Sequence, residues 1–375
     1  MDERSEEVQV KEVRMIKRLS KVGWIVLAAL LCLVLVVLPA CAGPAEEEKV
    51  PVITLTAATW MPATAGQSVM VEAFLEDLKT ESGGQLDYVW HPGGALLGPF
   101  DLYEGCTEGL ADIVMCALHY SAGRFPTMDA LYQPIGISSA WVATHVINDF
   151  YEEFQPAEVA DTHPLFWHGS APLVMYTKEP VQELADLNGM ILRCGSSNNP
   201  ILEALGATPS NIPMADVYES ISKNLLDGCM IGADGFTVWA LGDVVAYTTF
   251  PKICGCDVFL VTMNNDKWNS LPADLQEVVT SVSASYIDEA CQMWEDENTA
   301  SCNLGESKGV EFITLCAEEQ ALWEDTLQAV LDDYVAARVD AGKSQSEVEG
   351  WLDYIAERVD YWTQEQIDAG IPFLP

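Results

Sequence analysis

Arg193 is the residue whose type and setting point most directly to chemistry. It sits near the end of Gly189-Met190-Ile191-Leu192-Arg193-Cys194, an apolar stretch after the Asp186–Asn188 turn. A guanidinium there is either paired inside the protein or turned toward a cleft, because an unpaired buried cation is expensive. Its planar fork suits a carboxylate. The partner is either one of the chain's many acids or a small anionic ligand. Nothing else forms a catalytic set. No Gly-x-Ser-x-Gly, P-loop, His-Glu-x-x-His or strand-linked Gly-x-Gly-x-x-Gly pattern occurs. Among His91, His119, His145, His163 and His168 no pair has metal spacing, and Pro164 breaks any helix joining the last two. Paired carboxylates are everywhere and therefore carry no information.

The segments that must position Arg193 read as α/β. Ile53–Ala58, Gln85–Trp90 and Asp112–Ala117 are strands by composition, and Thr64–Ser82 is a helix. Val71, Phe74, Leu75 and Leu78 recur on one face of that helix, and Gly83-Gly84 stops it. This βαβ unit predicts a parallel sheet. Phe100–Glu108 and Trp141–Phe154 read as helices. A second unit follows, with strands at Leu173–Thr177, Met190–Cys194, Cys229–Ile231 and Asp257–Met263 and helices at Pro200–Leu205 and Met214–Leu225. Beyond Pro272 the pattern is helical over Ala273–Cys302, Ala317–Ala341 and Ser346–Asp368, with one strand at Val310–Thr314. A chain that leaves one sheet and returns to it makes two lobes. Open α/β sheets bind ligands outside the carboxyl ends of their strands, here in the cleft between lobes.

Residues 24–40 are almost wholly apolar and follow Lys17, Arg18 and Lys21, which describes a secretory signal. The run ends Leu38-Pro39-Ala40-Cys41, and Met15 begins a better signal than the acidic residues 1–14. A retained transmembrane helix is the other reading. The 375 residues carry 18 Lys plus Arg against 57 Asp plus Glu, for a net charge of −39. That charge excludes nucleic acid and an anionic membrane surface as main partners and serves solubility. Outside Cys32 and Cys41, nine of the 11 cysteines remain, so at least one is unpaired; Cys254-Gly-Cys256 is the one CxC. Cys116, Cys194, Cys256 and Cys316 read as small buried hydrophobes.

Six blocks, in order, resemble the substrate-binding proteins of TRAP (tripartite ATP-independent periplasmic) transporters over about residues 53 to 340. They are FLEDLKTESGGQLDYVWHPGGALLG (74–98), LYEGCTEGLADIV (102–114), YSAGRFPTMDALYQP (120–134), YTKEPVQELADLNGMILRCGSSN (176–198), LGATPSNIPMADVYESISKNLLDG (205–228) and WNSLPADLQEVV (268–279). The Leu-Pro-Ala-Cys41 ending likewise resembles a bacterial lipobox, which implies lipidation at Cys41 and a tether over 41–51.

The resemblance implies a two-lobed periplasmic-binding-protein-like fold with a ligand cleft. Lobe I takes 52–170 plus about 257–296, lobe II takes 171–256 plus about 297–345, and 346–375 form a C-terminal helix. It implies no enzyme and no cofactor. It implies an extracytoplasmic protein anchored at the membrane that delivers a ligand to permease subunits. Arg193 then holds the ligand's carboxylate. The expected second Arg of some relatives falls near Leu173, and Asp227-Gly228 is followed by Cys229-Met230-Ile231 rather than Glu and Asn. A monocarboxylate with an apolar or aromatic body, such as a hydroxy, keto or aromatic acid, therefore fits better than a dicarboxylate or sugar acid. Trp60 and Tyr120, after the first and third strands, face the ligand or pack. Asp234 receives a ligand hydroxyl, amine or cation, or caps a helix over Phe236–Leu241. Phe236 and Trp239 stack on the ligand or pack, and Trp141 packs its helix. The rival readings are an ATP-driven importer's binding protein, a lipid-anchored ligand sensor and a lipid-anchored enzyme.

Overall fold

The computed structural model describes residues 51–251 and 255–374. The signal over 24–40, the start at Met15, Cys41, nearly all of the tether and Cys254 lie outside the described residues.

Two sheets carry the fold. The first has the order β2-β1-β3-β10-β4, from β1 (Ile53–Thr59), β2 (Leu86–His91), β3 (Ile113–Ala117), β4 (Thr162–Ser170) and β10 (Asp257–Asn264). β1 runs parallel to β2 and β3, as the βαβ pattern predicts, and β10 is antiparallel to β3 and β4. The second sheet has the order β11-β9-β5-β8-β6-β7, from β5 (Leu173–Thr177), β6 (Ile191–Arg193), β7 (Thr208–Ser210), β8 (Gly228–Gly232), β9 (Tyr247–Phe250) and β11 (Glu311–Thr314). The chain therefore leaves the first sheet after β4 and returns to it at β10.

Three of these strands escape the sequence pattern. β4 contains Pro164, which interrupts any strand reading. The structure tolerates it because β4 is an edge strand and its pairing with β10 shifts register between Val261 and Thr262, beside Pro164. β7 and β9 have three and four residues, too few to show a period.

The predicted stripe Val71, Phe74, Leu75 and Leu78 is buried on the helix Gly66–Glu81. Each such side chain contributes roughly 1.5–3 kcal/mol by leaving water. The helix Ala273–Ser307 runs 35 residues, five beyond its expected end at Cys302. Its first part buries Leu275, Val279, Tyr286 and Trp294 in the core of the first sheet. Its last part places Cys302 in a core of the second sheet and Gly305 against the Phe236 ring. One rigid rod thus spans both sheets. The helix Gln345–Ala369 packs on Ala140–Phe154, where Trp362 stacks on His145 and meets Trp141 edge-on. Cys316, expected to be buried, is exposed at the start of the helix Ala317–Asp340, and Cys116, Cys194 and Cys256 are buried as expected.

Two glycines separate close packing from mere flexibility. A Cβ at Gly228 would lie 2.0 Å from the Tyr176 carbonyl oxygen of the neighbouring strand, whereas one at Gly350 meets nothing within 4 Å. Gly228→Ala should lower stability by about 1–3 kcal/mol or more. Gly350→Ala, inside a helix, should raise it by about 0.5–1 kcal/mol. Urea unfolding of both variants checks the pair, and equal midpoints would contradict this packing.

Candidate functional site

Arg193 is the last residue of β6, and only 2% of it is exposed. Its Nη2 donates to the Tyr120 hydroxyl at 2.9 Å and its Nε donates to the Ile212 carbonyl at 3.2 Å. No carboxylate among the described residues lies within ion-pair distance of it, so the internal salt bridge left open by the sequence does not form. Gly195 follows closely because a Cβ there would meet the His119 ring at 2.6 Å. The missing side chain lets the second sheet press against the short helical turn Leu118–Tyr120 after β3.

The guanidinium faces a small cavity of about 30 Å³ between the two sheets. Trp60, His119, Tyr120, Ser170, Asp257 and Phe259 line it from the first sheet's side. Met214, Ile231, Gly232, Asp234 and Trp239 line it with Arg193 from the second, and Trp294 comes from the spanning helix. The walls are largely aromatic. Trp60 stacks on Phe259 at 5.9 Å, and Phe259 stacks in turn on the fully buried His168 at 4.9 Å. Trp294 Nε1 donates to His168 Nδ1 at 3.0 Å. Burial pushes the His168 imidazole down to about 3, so it is a neutral part of the wall. Trp60 Nε1 and Ser170 Oγ are buried with no hydrogen-bond partner among the described residues.

The acids are as informative as the Arg. Asp234 is 5% exposed and accepts from Gln67 Nε2 of the facing lobe at 3.1 Å. Its side chain does not cap the following helix, which is the four-residue Gly235–Val238 and not the expected Phe236–Leu241. Burial, above all, raises its carboxyl to about 7, and Gln67 opposes that rise. Asp257, at the start of β10, accepts from Asn198 Nδ2 at 3.0 Å and lies 3.5 Å from His119 Nδ1.

Of the predicted residues, Arg193, Trp60, Tyr120, Asp234 and Trp239 thus surround one cavity. Phe236 does not line it. Its ring points into the second sheet's core, edge-on to Tyr176 and stacked with Phe312. Sequence reading missed His119, Asp257, Ser170 and Gln67. His119 was searched for only as a metal ligand, and Asp257 was hidden among 57 acids. Among the described residues no group of three or more His, Cys, Asp or Glu is arranged to hold a metal ion.

Two lobes joined by a crossing chain, with a cavity between them that combines aromatic walls with a buried Arg, define a two-lobed solute-binding protein. The comparisons are specific about which. The family model for bacterial extracellular solute-binding protein, family 7, matches residues 57–337. The chain belongs to this family, the substrate-binding proteins of TRAP transporters, which are binding proteins and not enzymes. The C4-dicarboxylate-binding periplasmic protein of Rhodobacter capsulatus is 27% identical over 179 residues, 47% of this chain and 53% of that protein. This chain therefore spans about half the length of that relative. An ectoine/5-hydroxyectoine-binding periplasmic protein of Ruegeria pomeroyi is 23% identical over 268 residues, covering 68% of this chain and 76% of that one.

Solved structures agree on the fold. A TRAP solute-binding protein of Rhodoferax ferrireducens, with copurified benzoate, gives a TM-score of 0.78 at 20% identity and covers 83% of this chain and 99% of that one. An open complex from Desulfovibrio salexigens gives 0.72 at 26% identity, covering 82% and 96%. Among the described residues no helix is long and apolar enough to cross a membrane.

The Asp234 environment has a measurable consequence for stability. A carboxyl raised from 3.8 to about 7 favours the protonated folded state. That stabilisation is complete below about pH 4 and is lost as pH rises through about 7. Asp234→Asn, which keeps an acceptor for Gln67, should leave the unliganded protein more resistant to urea than the parent. The gap should be small near pH 5 and wide near pH 8. A gap that does not change with pH would show that the Asp234 carboxyl ionises normally.

Proposed function

We propose that this chain captures a small organic acid bearing one carboxylate, held by Arg193, and delivers it to the permease subunits of a TRAP-type transporter. The observation that carries this reading is a buried guanidinium that faces a cavity without a carboxylate partner. Among the described residues, Arg193 supplies the one Lys or Arg side chain lining that cavity, which suits a single carboxylate. Leu173, where the sequence comparison put the second Arg of some relatives, is instead a buried core residue. Solved relatives hold monocarboxylates: benzoate in the Rhodoferax ferrireducens protein and meta-hydroxyphenylacetate in a marine metagenome protein. The compact aromatic cavity suits a small body. Lobe closure excludes water, which strengthens the Arg–carboxylate pair. Scavenging asks for micromolar affinity or better, about −8 kcal/mol. Export and lipidation at Cys41 would keep the protein beside its permease.

A thermal-shift screen of residues 45–375 against small carboxylates tests this, because a ligand that binds only the folded state raises the melting temperature. A shift with one acid class should vanish in Arg193→Ala, with affinity falling roughly 30-fold or more as one member of a buried charge pair is removed. A folded protein that shifts with no acid, or that shifts equally without Arg193, would sink the reading. The net charge of −39 also repels an anion at long range. The association rate should therefore rise with ionic strength, opposite to ordinary steering, and stopped-flow binding at two salt concentrations measures the sign.

A further inference from the structure

We infer that the natural ligand carries a protonated amine beside its carboxylate: a zwitterion whose carboxylate meets Arg193 and whose ammonium meets Asp234. This rests on the Arg193 reading above and adds the other half of the ligand. Two buried charges lack a counter-charge among the described residues. Arg193 and Asp234 line the same cavity, and they do not pair with each other. Among the described residues, Gln67 is the side chain that hydrogen-bonds the Asp234 carboxylate. Among the described residues, the charged groups that act most on Asp234 are Glu297 and Asp257, both acids that disfavour its ionised form.

A simple carboxylate would relieve Arg193 and leave Asp234 as it is. It would also bring another negative charge into a cavity where Asp257 already stands. A zwitterion brings no net charge and supplies a counter-ion to each end. The walls fit the same conclusion. Trp60, Trp239, Phe259 and Trp294 present aromatic surface around the cavity, which attracts an ammonium group and gives an apolar body its packing. Ser170 Oγ, buried and without a partner among the described residues, is a further acceptor for an N–H.

The groups around Asp234 set its pH response. Gln67 comes from the helix Gly66–Glu81, Glu297 from the spanning helix and Asp257 from β10. On the second sheet, the Tyr176 hydroxyl donates to the Gly232 carbonyl and accepts from the Gly235 N–H, beside Asp234. Tyr176 stays protonated throughout, because burial raises it well above its ordinary value. His119 stands against Asp257 and not against Asp234. An ammonium needs the ionised carboxylate. Binding a zwitterion near neutral pH therefore releases a proton, and affinity falls as pH drops below about 7. A plain acid favours the protonated carboxyl, so its affinity falls as pH rises through the same range.

The test compares shape-matched pairs that differ by the amine: proline with cyclopentanecarboxylate, alanine with propionate, phenylalanine with 3-phenylpropionate. Affinities are measured by calorimetry in two buffers of different ionisation heat, which also counts protons. At least one amino acid should bind about tenfold or more tighter than its deaminated partner, with proton release and a rising affinity from about pH 5.5 to about pH 7.5. Asp234→Asn should abolish the preference and the pH slope. If plain acids bind as well as amino acids and depend on Arg193, the amine assignment is overturned and the carboxylate reading stands. If the folded parent binds neither column, both are overturned.

Discussion

The structure turns on one constraint: the Arg193 guanidinium is kept out of water, and none of the described residues offers it a carboxylate. In a chain with 57 acids that arrangement cannot be an accident of composition. Every feature near Arg193 serves it. Tyr120 accepts one N–H and the Ile212 carbonyl another, so the group is oriented without being neutralised. The Met214 N–H also donates to the Tyr120 hydroxyl, at 3.3 Å, which fixes that hydroxyl in place. Gly195 removes the Cβ that would hold the two lobes apart. Because the surroundings are low in dielectric, a carboxylate placed opposite Arg193 interacts far more strongly than it would at the surface.

Closure of the two lobes depends on a handful of polar bonds across the cleft. Gln67 reaches Asp234, Asn198 reaches Asp257, Ser197 donates to Asp129 at 3.0 Å, and Tyr120 holds Arg193. Each contributes only about 1 kcal/mol net, more where a charge takes part. Several of them end on acids that burial disfavours. Asp129 is raised to about 6 and Asp234 to about 7, with burial the largest cause in both. The contacts between the lobes are thus interactions that partly offset each other. The spanning helix limits how it opens. Its two ends are embedded in different lobes, so rotation must be absorbed along it and in the short crossings between sheets.

Much of this was legible in the sequence, for reasons that can be named. Periodicity marked the helix Gly66–Glu81 because its stripe of Val71, Phe74, Leu75 and Leu78 is a single buried face. Arg193 stood out because a cation in an apolar strand is costly and rare. What stayed hidden was relational. Asp234 looked like a helix cap because it precedes a turn, and only the folded chain shows Gln67, some 167 residues away, drawing its carboxylate aside. Phe236 looked like a ligand contact because it neighbours Asp234, yet successive residues leave the backbone in different directions and Phe236 turns into the core. His119 and Asp257 carry no local signal at all; their meaning comes from the turn after β3 that sets His119 against Asp257 at the start of β10.

The contrast between surface and cavity follows from these facts. A net charge of −39 favours solubility and repels anions at a distance, while on the proposed reading the buried Arg193 attracts one at contact. Long-range repulsion falls off within about 8 Å at physiological salt, so it slows encounter more than it weakens the bound state. On the function proposed above, selection happens inside the cavity. There every charge lacks water, and a mismatch at either Arg193 or Asp234 leaves a buried charge unpaired. A site built this way discriminates by what it leaves unsatisfied as much as by what it binds.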